Sequence, residues 1–202
     1  MTASPARDRF APLNLTRACL QATAEDAAIA SRPAFTFLDI AGDPLATWTY
    51  AQAWAEVQRI ARGLLALGLA PGERVLVRLP HSPAYAFAFF GANLAGLVPV
   101  PASPQLTDEE AQYLASDSGA RALIAAPASQ LAGFQGVTIT PEQLAALDGP
   151  GPLPETIAEA PAYLLYTSGT TARPKGVQLT HRNLWINATR SEEHTSELQS
   201  RE

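Results

Sequence analysis

The stretch Tyr163-Leu-Leu-Tyr-Thr-Ser-Gly-Thr-Thr-Ala-Arg-Pro-Lys-Gly-Val177 has the most specific chemistry in the sequence. Residues 163–166 are bulky and apolar or aromatic, and they predict a short buried strand. From Thr167 to Thr171 every residue is Gly, Ser or Thr, so backbone amides can approach a ligand closely and hydroxyl groups can donate hydrogen bonds to it. Lys175 adds a cation suited to phosphate, and Gly176 permits a second bend before an extended segment resumes. The stretch therefore predicts a loop that binds an oxygen-rich anion, of which a polyphosphate is the simplest.

A Walker A motif has Gly, four residues and then Gly-Lys-Ser/Thr. Here Gly169 is followed by five residues and then by Lys175-Gly176, so both the spacing and the order of lysine and glycine differ. The loop instead resembles the signature of the adenylate-forming superfamily, Tyr-Thr-Ser-Gly-Thr-Thr-Gly-x-Pro-Lys-Gly. That superfamily comprises acyl-CoA synthetases, acyl-AMP ligases, adenylation domains of peptide synthetases and luciferases. The sequence departs from the signature at Ala172, where glycine is usual; if this position needs a positive φ, alanine costs about 1 kcal/mol. A solvated turn between two strands is the alternative interpretation.

The resemblance implies that the loop binds the β- and γ-phosphates of ATP. The implied ligand-binding residues are Thr167, Ser168, Gly169, Thr170, Thr171 and Lys175. Arg173 occupies a variable position of the motif and is expected to face solvent. His181 and Arg182 follow the loop and could approach phosphate, but a surface position at the start of a helix is the favoured interpretation.

The resemblance extends upstream of the loop, in order and with short gaps. The matching segments are Leu67–Val75, Phe89–Ala92, Gly96–Val100 and Asp117–Arg121, and they are similar to the N-terminal subdomain of acyl-CoA synthetases. The resemblance covers roughly residues 14–188. These upstream segments are mostly structural in the family, so we assign them core and turn roles rather than catalysis.

Short apolar strands alternate with helices along the chain. The predicted strands are Ala34–Leu38, Glu73–Leu79, Leu97–Val100, Ala122–Ala125 and Val137–Ile139. The predicted helices are Leu15–Ala30, one from Thr49 to Gly68, Tyr85–Leu97, one from Thr107 to about Ser118, Pro141–Leu147 and one capped by Thr180. Capping boxes of Thr49 with Gln52 and of Thr107 with Glu110 mark two of the helix starts. The alternation predicts an α/β fold with a mainly parallel sheet layered with helices.

Composition excludes several classes of function. The chain has 202 residues, of which 47% are hydrophobic and 16% charged, so it is expected to be globular. A formal net charge of -5 argues against binding to nucleic acid or to an anionic membrane. The most apolar window, Ala84–Val100, is shorter than a membrane span and contains Asn93, so a buried helix is favoured. A single cysteine, Cys19, and the lack of a secretory signal are compatible with a cytoplasmic protein.

The composition divides the chain into three parts. Residues 1–13 form a polar lead, and residues 14–189 correspond to a partial AMP-binding N-terminal domain. Residues 190–202 are polar and charged, and they resemble a translated sequencing adapter; we take this tail as non-native and exclude it from the fold. Its His194, Glu192, Glu193 and Glu197 are therefore not assigned as a metal site. The family motifs for adenine, magnesium and ribose, and the catalytic lysine, would lie beyond residue 189, so the fragment is expected to be inactive and to contain no catalytic residue.

The resemblance implies an AMP-forming ligase for the full-length parent. Such an enzyme would use ATP, Mg²⁺ and coenzyme A, and would join a fatty or aromatic carboxylic acid to the thiol of coenzyme A. Three alternatives remain: an acyl-AMP ligase serving a carrier protein, an amino-acid adenylation domain, and a non-catalytic α/β module that binds a nucleotide or phosphate.

Overall fold

The computed structural model describes residues 11–167 and 173–189. The strands are β1 (Pro33–Leu38), β2 (Pro44–Thr49), β3 (Arg74–Arg78), β4 (Val98–Pro101), β5 (Ala120–Ala125), β6 (Val137–Ile139), β7 (Pro161–Thr167) and β8 (Lys175–Thr180). The helices are α1 (Ala22–Glu25), preceded by a π-helical turn at Arg17–Gln21, α2 (Tyr50–Ala66), α3 (Pro83–Leu94), α4 (Asp108–Ser118), α5 (Pro141–Ala146) and α6 (residues 181–189), with a 3₁₀ turn at Pro127–Ser129.

A four-stranded parallel sheet in the order β4-β3-β5-β6 forms the centre of the fold. Successive residues of β3 point to opposite faces: Val75 and Val77 pack in the core with α2 and α3, whereas Leu76 packs in the core with α4. The chain passes from β3 to β4, which lies on one side of β3 in the sheet. It then crosses back to β5, which lies on the other side of β3. Right-handed crossovers in opposite directions put α3 and α4 on opposite faces. The predicted α/β class and parallel sheet are confirmed.

Local capping signals fixed the starts of two helices as predicted. The Thr49 hydroxyl accepts a hydrogen bond from the Gln52 amide, and the same reciprocal box joins Thr107 to Glu110 at the start of α4. The apolar window that contains Asn93 forms the buried helix α3 and then β4. Across the two described ranges, no helix is both long enough and apolar enough to cross a membrane.

The N-terminal third departs from the prediction in two places. The expected helix Leu15–Ala30 ends at Glu25, because Asp26 takes an extended conformation and its carboxylate accepts a hydrogen bond from the Ala28 amide at 2.9 Å. This local bond competes with helix continuation and starts a series of turns. Sequence analysis also missed β2, which pairs antiparallel with β1.

Strands β7 and β8 form a separate antiparallel hairpin beside the parallel sheet. The prediction that residues 163–166 are buried is wrong for part of this strand. Leu164 and Tyr166 pack on the core cluster under α4, whereas Leu165 is 38% exposed. Successive strand residues point to opposite faces, and only one face of the hairpin packs on that cluster.

Candidate functional site

The hairpin brings the two ends of the predicted phosphate loop together. In its antiparallel register, Thr167 at the end of β7 lies opposite Lys175 at the start of β8. Both side chains are exposed. One hydroxyl and one ammonium group are therefore displayed at the same edge of the hairpin, a combination that suits an anion with several oxygens.

Four of the six predicted ligand-binding residues, Ser168, Gly169, Thr170 and Thr171, lie outside the described residues, as does Ala172. Their assignment to phosphate stays a prediction. Among the ion pairs that involve only residues 11–167 and 173–189, none includes Lys175. The ammonium group is thus exposed at the edge where the prediction needs a cation.

Helix α4 contacts the chain on both sides of the loop. The Tyr166 hydroxyl donates to Asp117 Oδ2 at 2.6 Å, and the Tyr113 hydroxyl donates to the Pro174 carbonyl oxygen at 3.1 Å. The guanidinium carbon of Arg173 lies 5.5 Å from the centre of the Tyr113 ring, within the range of a cation–π contact. Arg173 is exposed, as the sequence predicted.

The Tyr166 phenol has an unusual environment for a partly exposed side chain. Burial, followed by the hydrogen bond to Asp117, raises the pKa of Tyr166 above its usual range. The phenol therefore stays protonated at neutral and moderately alkaline pH. It remains a hydrogen-bond donor, and the carboxylate of Asp117 is the acceptor.

Gly176 has a different role from the one predicted. It lies within β8 and is not among the described glycines with positive φ, so it forms no sharp bend. A Cβ at this position would lie 3.2 Å from both Leu164 Cδ1 and Tyr166 Cζ. The missing side chain thus leaves room for the Tyr166 ring, which crosses over the strand toward Asp117.

The expected surface position of His181 is wrong. Its exposed fraction is 1%, and its Nδ1 atom accepts a hydrogen bond from the Leu15 amide at 3.0 Å. Burial lowers the pKa of His181 to about 4, so the imidazole is neutral at physiological pH. The N-terminal segment around Leu15 contacts the histidine, which sequence spacing alone did not indicate. The neighbouring Arg182 is partly exposed and forms an ion pair with Glu159 at 2.9 Å.

A buried polar network connects the hairpin to the N-terminal segment. Asn93 on α3 is fully buried, and its Nδ2 atom donates to the Ala162 carbonyl on β7 at 2.8 Å. Its Oδ1 atom accepts from the Thr16 hydroxyl at 3.1 Å, and its backbone carbonyl accepts from Asn14 Nδ2 at 2.9 Å. Each of these polar groups is paired although buried, which the energetics of burial require. Sequence analysis missed this network because its partners are far apart in the chain.

The described residues suit the phosphate groups of a nucleotide rather than a metal ion. Thr167 supplies a hydroxyl and Lys175 a positive charge, whereas Mg²⁺ prefers carboxylate and water oxygens. Within the part of the chain that the structure describes, no group of three or more His, Cys, Asp or Glu side chains could hold a metal ion. The described residues therefore offer no Mg²⁺ site by themselves, and we assign no step to this ion.

Comparisons with known proteins establish the family of this chain. The family model for the AMP-binding enzymes matches residues 21–201, and the chain therefore belongs to the AMP-binding enzyme family. A feruloyl-CoA synthase from Amycolatopsis sp is 40% identical over 145 residues, which cover 69% of this chain and 29% of that protein. Surfactin synthase subunit 1 of Bacillus subtilis is 36% identical over 149 residues, which cover 68% of this chain and 4% of that protein.

The fold matches one part of a larger enzyme. The solved N-terminal subdomain of NpsA from Klebsiella oxytoca aligns with a TM-score of 0.73 at 22% identity, covering 90% of this chain and 43% of that one. The chain thus has the fold of an N-terminal subdomain of an adenylate-forming enzyme. It spans less than a third of the length of the feruloyl-CoA synthase that it matches.

Proposed function

We propose that this chain is part of an ATP-dependent carboxylic acid–CoA ligase and that its β7–β8 hairpin binds the β- and γ-phosphates of the nucleotide. The observation that carries the proposal is the pairing of Thr167 with Lys175 at the edge of the hairpin. The 40% identity to a feruloyl-CoA synthase supports the ligase class and makes aromatic acids the first substrates to test.

In such a ligase, a carboxylate oxygen of the acid attacks the α-phosphorus of ATP, the bond from that phosphorus to the bridging oxygen breaks, and pyrophosphate leaves. The thiolate of coenzyme A then attacks the acyl carbonyl carbon, and AMP leaves. Lys175 would neutralise negative charge that builds up on the departing pyrophosphate, and the Thr167 hydroxyl would donate to a phosphate oxygen. Removing one such preorganised group typically costs about 3 kcal/mol of transition-state stabilisation.

The second candidate transfers the acyl group to a thiol of a carrier protein instead of to coenzyme A. The observation that favours it is the 36% identity to surfactin synthase subunit 1, close to that of the CoA synthase. An acyl-AMP ligase and an amino-acid adenylation domain both fall under this candidate. The choice is made by supplying coenzyme A or a carrier protein and measuring which one releases AMP.

The sequence offers a direct test of the phosphate site, because Lys175 is its single lysine. Reductive methylation with ¹³C-formaldehyde keeps the positive charge and gives one lysine signal besides that of the N-terminus. We expect inorganic tripolyphosphate to shift the Lys175 signal in a saturable manner. An unchanged lysine signal in a folded sample would contradict the proposed phosphate site and favour a purely structural role.

Activity is tested on the longest reading frame that contains this sequence. Resequencing the source DNA across the codons for residues 187–191 decides whether the tail from residue 190 is native. Our adapter hypothesis expects that it is not. In the longer protein, we expect Lys175→Ala to lower acid-dependent exchange of pyrophosphate into ATP about 100-fold, and Lys175→Arg to retain part of it. Exchange at the wild-type rate in Lys175→Ala would refute the assigned role.

A further inference from the structure

We propose that Tyr113 and Asp117 on α4 are positioning residues that hold Thr167 and Lys175 in place for phosphate. The inference rests on the proposed function, because positioning matters only if these two residues bind a phosphate ligand. It concerns residues outside the loop and far from it in sequence. The hydroxyl of Tyr113 and the carboxylate of Asp117 bond to the chain on opposite sides of the loop.

The first contact fixes the residue before Thr167. The Tyr166 hydroxyl donates to Asp117 Oδ2 at 2.6 Å, a short distance typical of a hydrogen bond to a charged acceptor. The raised pKa of the Tyr166 phenol means that its proton is retained and the bond persists under physiological conditions. Gly176 leaves space for the ring, since any Cβ there would press on Tyr166.

The second contact fixes the residue before Lys175. The Tyr113 hydroxyl donates to the Pro174 carbonyl oxygen at 3.1 Å, and the Arg173 guanidinium lies against the ring of the same tyrosine. The Tyr113 and Tyr166 rings also meet edge to face, with their centres 6.5 Å apart. One aromatic side chain of α4 therefore contacts both sides of the loop.

The two anchoring residues act as a unit because they are four positions apart on one helix. Residues at this spacing lie on the same face, one turn apart. Helix α4 is itself fixed by its capping box and by the buried side chains of Ala111, Leu114 and Ala115. Strand pairing places Thr167 opposite Lys175, and α4 supports both ends of the loop from one rigid helix, which lowers the ordering cost when a ligand binds.

The test measures the affinity of the whole 202-residue chain for inorganic tripolyphosphate, with ¹³C-methylated Lys175 as the reporter. Tyr113→Phe and Asp117→Ala each remove one contact, and each is expected to weaken binding about fivefold. Asp117→Asn is expected to restore affinity to within about twofold of wild type, because its amide oxygen can accept from Tyr166. Ser116→Ala removes an exposed hydroxyl from the same helix and is the matched control, with unchanged affinity expected.

The double variant Tyr166→Phe with Asp117→Ala tests whether Asp117 acts through Tyr166, and melting temperatures separate positioning from general stability. The double variant is expected to bind no more weakly than Asp117→Ala alone, because both substitutions break the same bond. The melting temperature of each ligand-free variant is measured in parallel. Lower melting temperatures with wild-type affinity would make Tyr113 and Asp117 structural residues and overturn the inference.

The outcome for the wild-type chain distinguishes the two proposals. If tripolyphosphate binds to wild type and equally well to Tyr113→Phe and Asp117→Ala, the phosphate site stands and the positioning role is wrong. If tripolyphosphate leaves the Lys175 signal of the folded wild-type chain unchanged, the proposed phosphate site fails, and the positioning role fails with it.

Discussion

Acid should destabilise this protein through His181, which is buried in a neutral form. The imidazole accepts a hydrogen bond from the Leu15 amide at Nδ1, so protonation of that nitrogen would break the bond and bury a charge. The pKa is about 4 in the folded chain, against an ordinary value of 6.5. Above pH 6.5 both folded and unfolded chains carry a neutral His181, and the full stabilisation is present.

The expected magnitude follows from these two pKa values. Between about pH 6.5 and pH 4 the unfolded chain binds a proton that the folded chain does not, so the free energy of unfolding falls as the pH falls. The gap between 6.5 and about 4 corresponds to about 3 kcal/mol in all. About 2 kcal/mol of this should already be lost at about pH 5.

The assay is urea unfolding followed by circular dichroism at about pH 7 and about pH 5. Carboxylates also titrate in acid, so the informative quantity is the difference between wild type and His181→Asn. The side-chain oxygen of the introduced asparagine can replace Nδ1 as the acceptor but does not titrate. Between about pH 7 and about pH 5 this variant should therefore lose about 2 kcal/mol less unfolding free energy than wild type.

Two controls make the His181 test decisive. His81→Asn removes an exposed imidazole and controls for the loss of a histidine as such. Titration of the His181 ring by NMR gives its folded pKa directly. The reasoning would be refuted if wild type and His181→Asn lost equal stability between the two pH values, or if the ring titrated near its ordinary value of 6.5.

Two further substitutions test the packing and hydrogen bonding of α3. Gly91→Ala should lower the free energy of unfolding by about 1–3 kcal/mol in urea titrations, because its Cβ would lie 2.5 Å from Ile60 Cγ2 where α2 meets α3. In an Ile60→Ala background the clash is absent, so Gly91→Ala should cost less there than in wild type. Equal costs in the two backgrounds would count against a clash. Asn93→Leu should cost about 3 kcal/mol, because it removes the buried donor to the Ala162 carbonyl and leaves the Thr16 hydroxyl only the Phe90 carbonyl as an acceptor. Thr49→Ala removes a helix cap and is expected to cost about 1 kcal/mol. If Asn93→Leu lowers the free energy of unfolding by less than Thr49→Ala does, the buried network is dispensable.

Short-range features of the fold were predictable from sequence. The capping boxes at Thr49 and Thr107 join residues three positions apart, so the information is contained in a few adjacent side chains. The alternation of apolar strands with helices likewise predicted the parallel sheet. The same locality explains why Thr167 and Lys175 could be named as candidate ligands: both belong to a single contiguous motif, and the hairpin pairs them directly.

The supports of the site were not predictable, because they depend on contacts across the chain. Asp117 is 49 residues from Tyr166, and Tyr113 is 61 residues from Pro174. Their one sequence signal is the four-residue spacing that puts them on one face of α4, and such spacing is common in helices. His181 was misjudged for the same reason, since its partner Leu15 is 166 residues away.

The sequence by itself determined the class of fold, the family motif and the chemistry of its hydroxyl and ammonium groups, because these are properties of neighbouring residues. Tertiary structure alone decided that α4 anchors both sides of the loop, that Gly176 makes room for a ring rather than a bend, and that His181 is buried. Each of these depends on which distant surfaces the folded backbone brings within hydrogen-bonding or van der Waals distance. Residue type and local spacing do not contain that information.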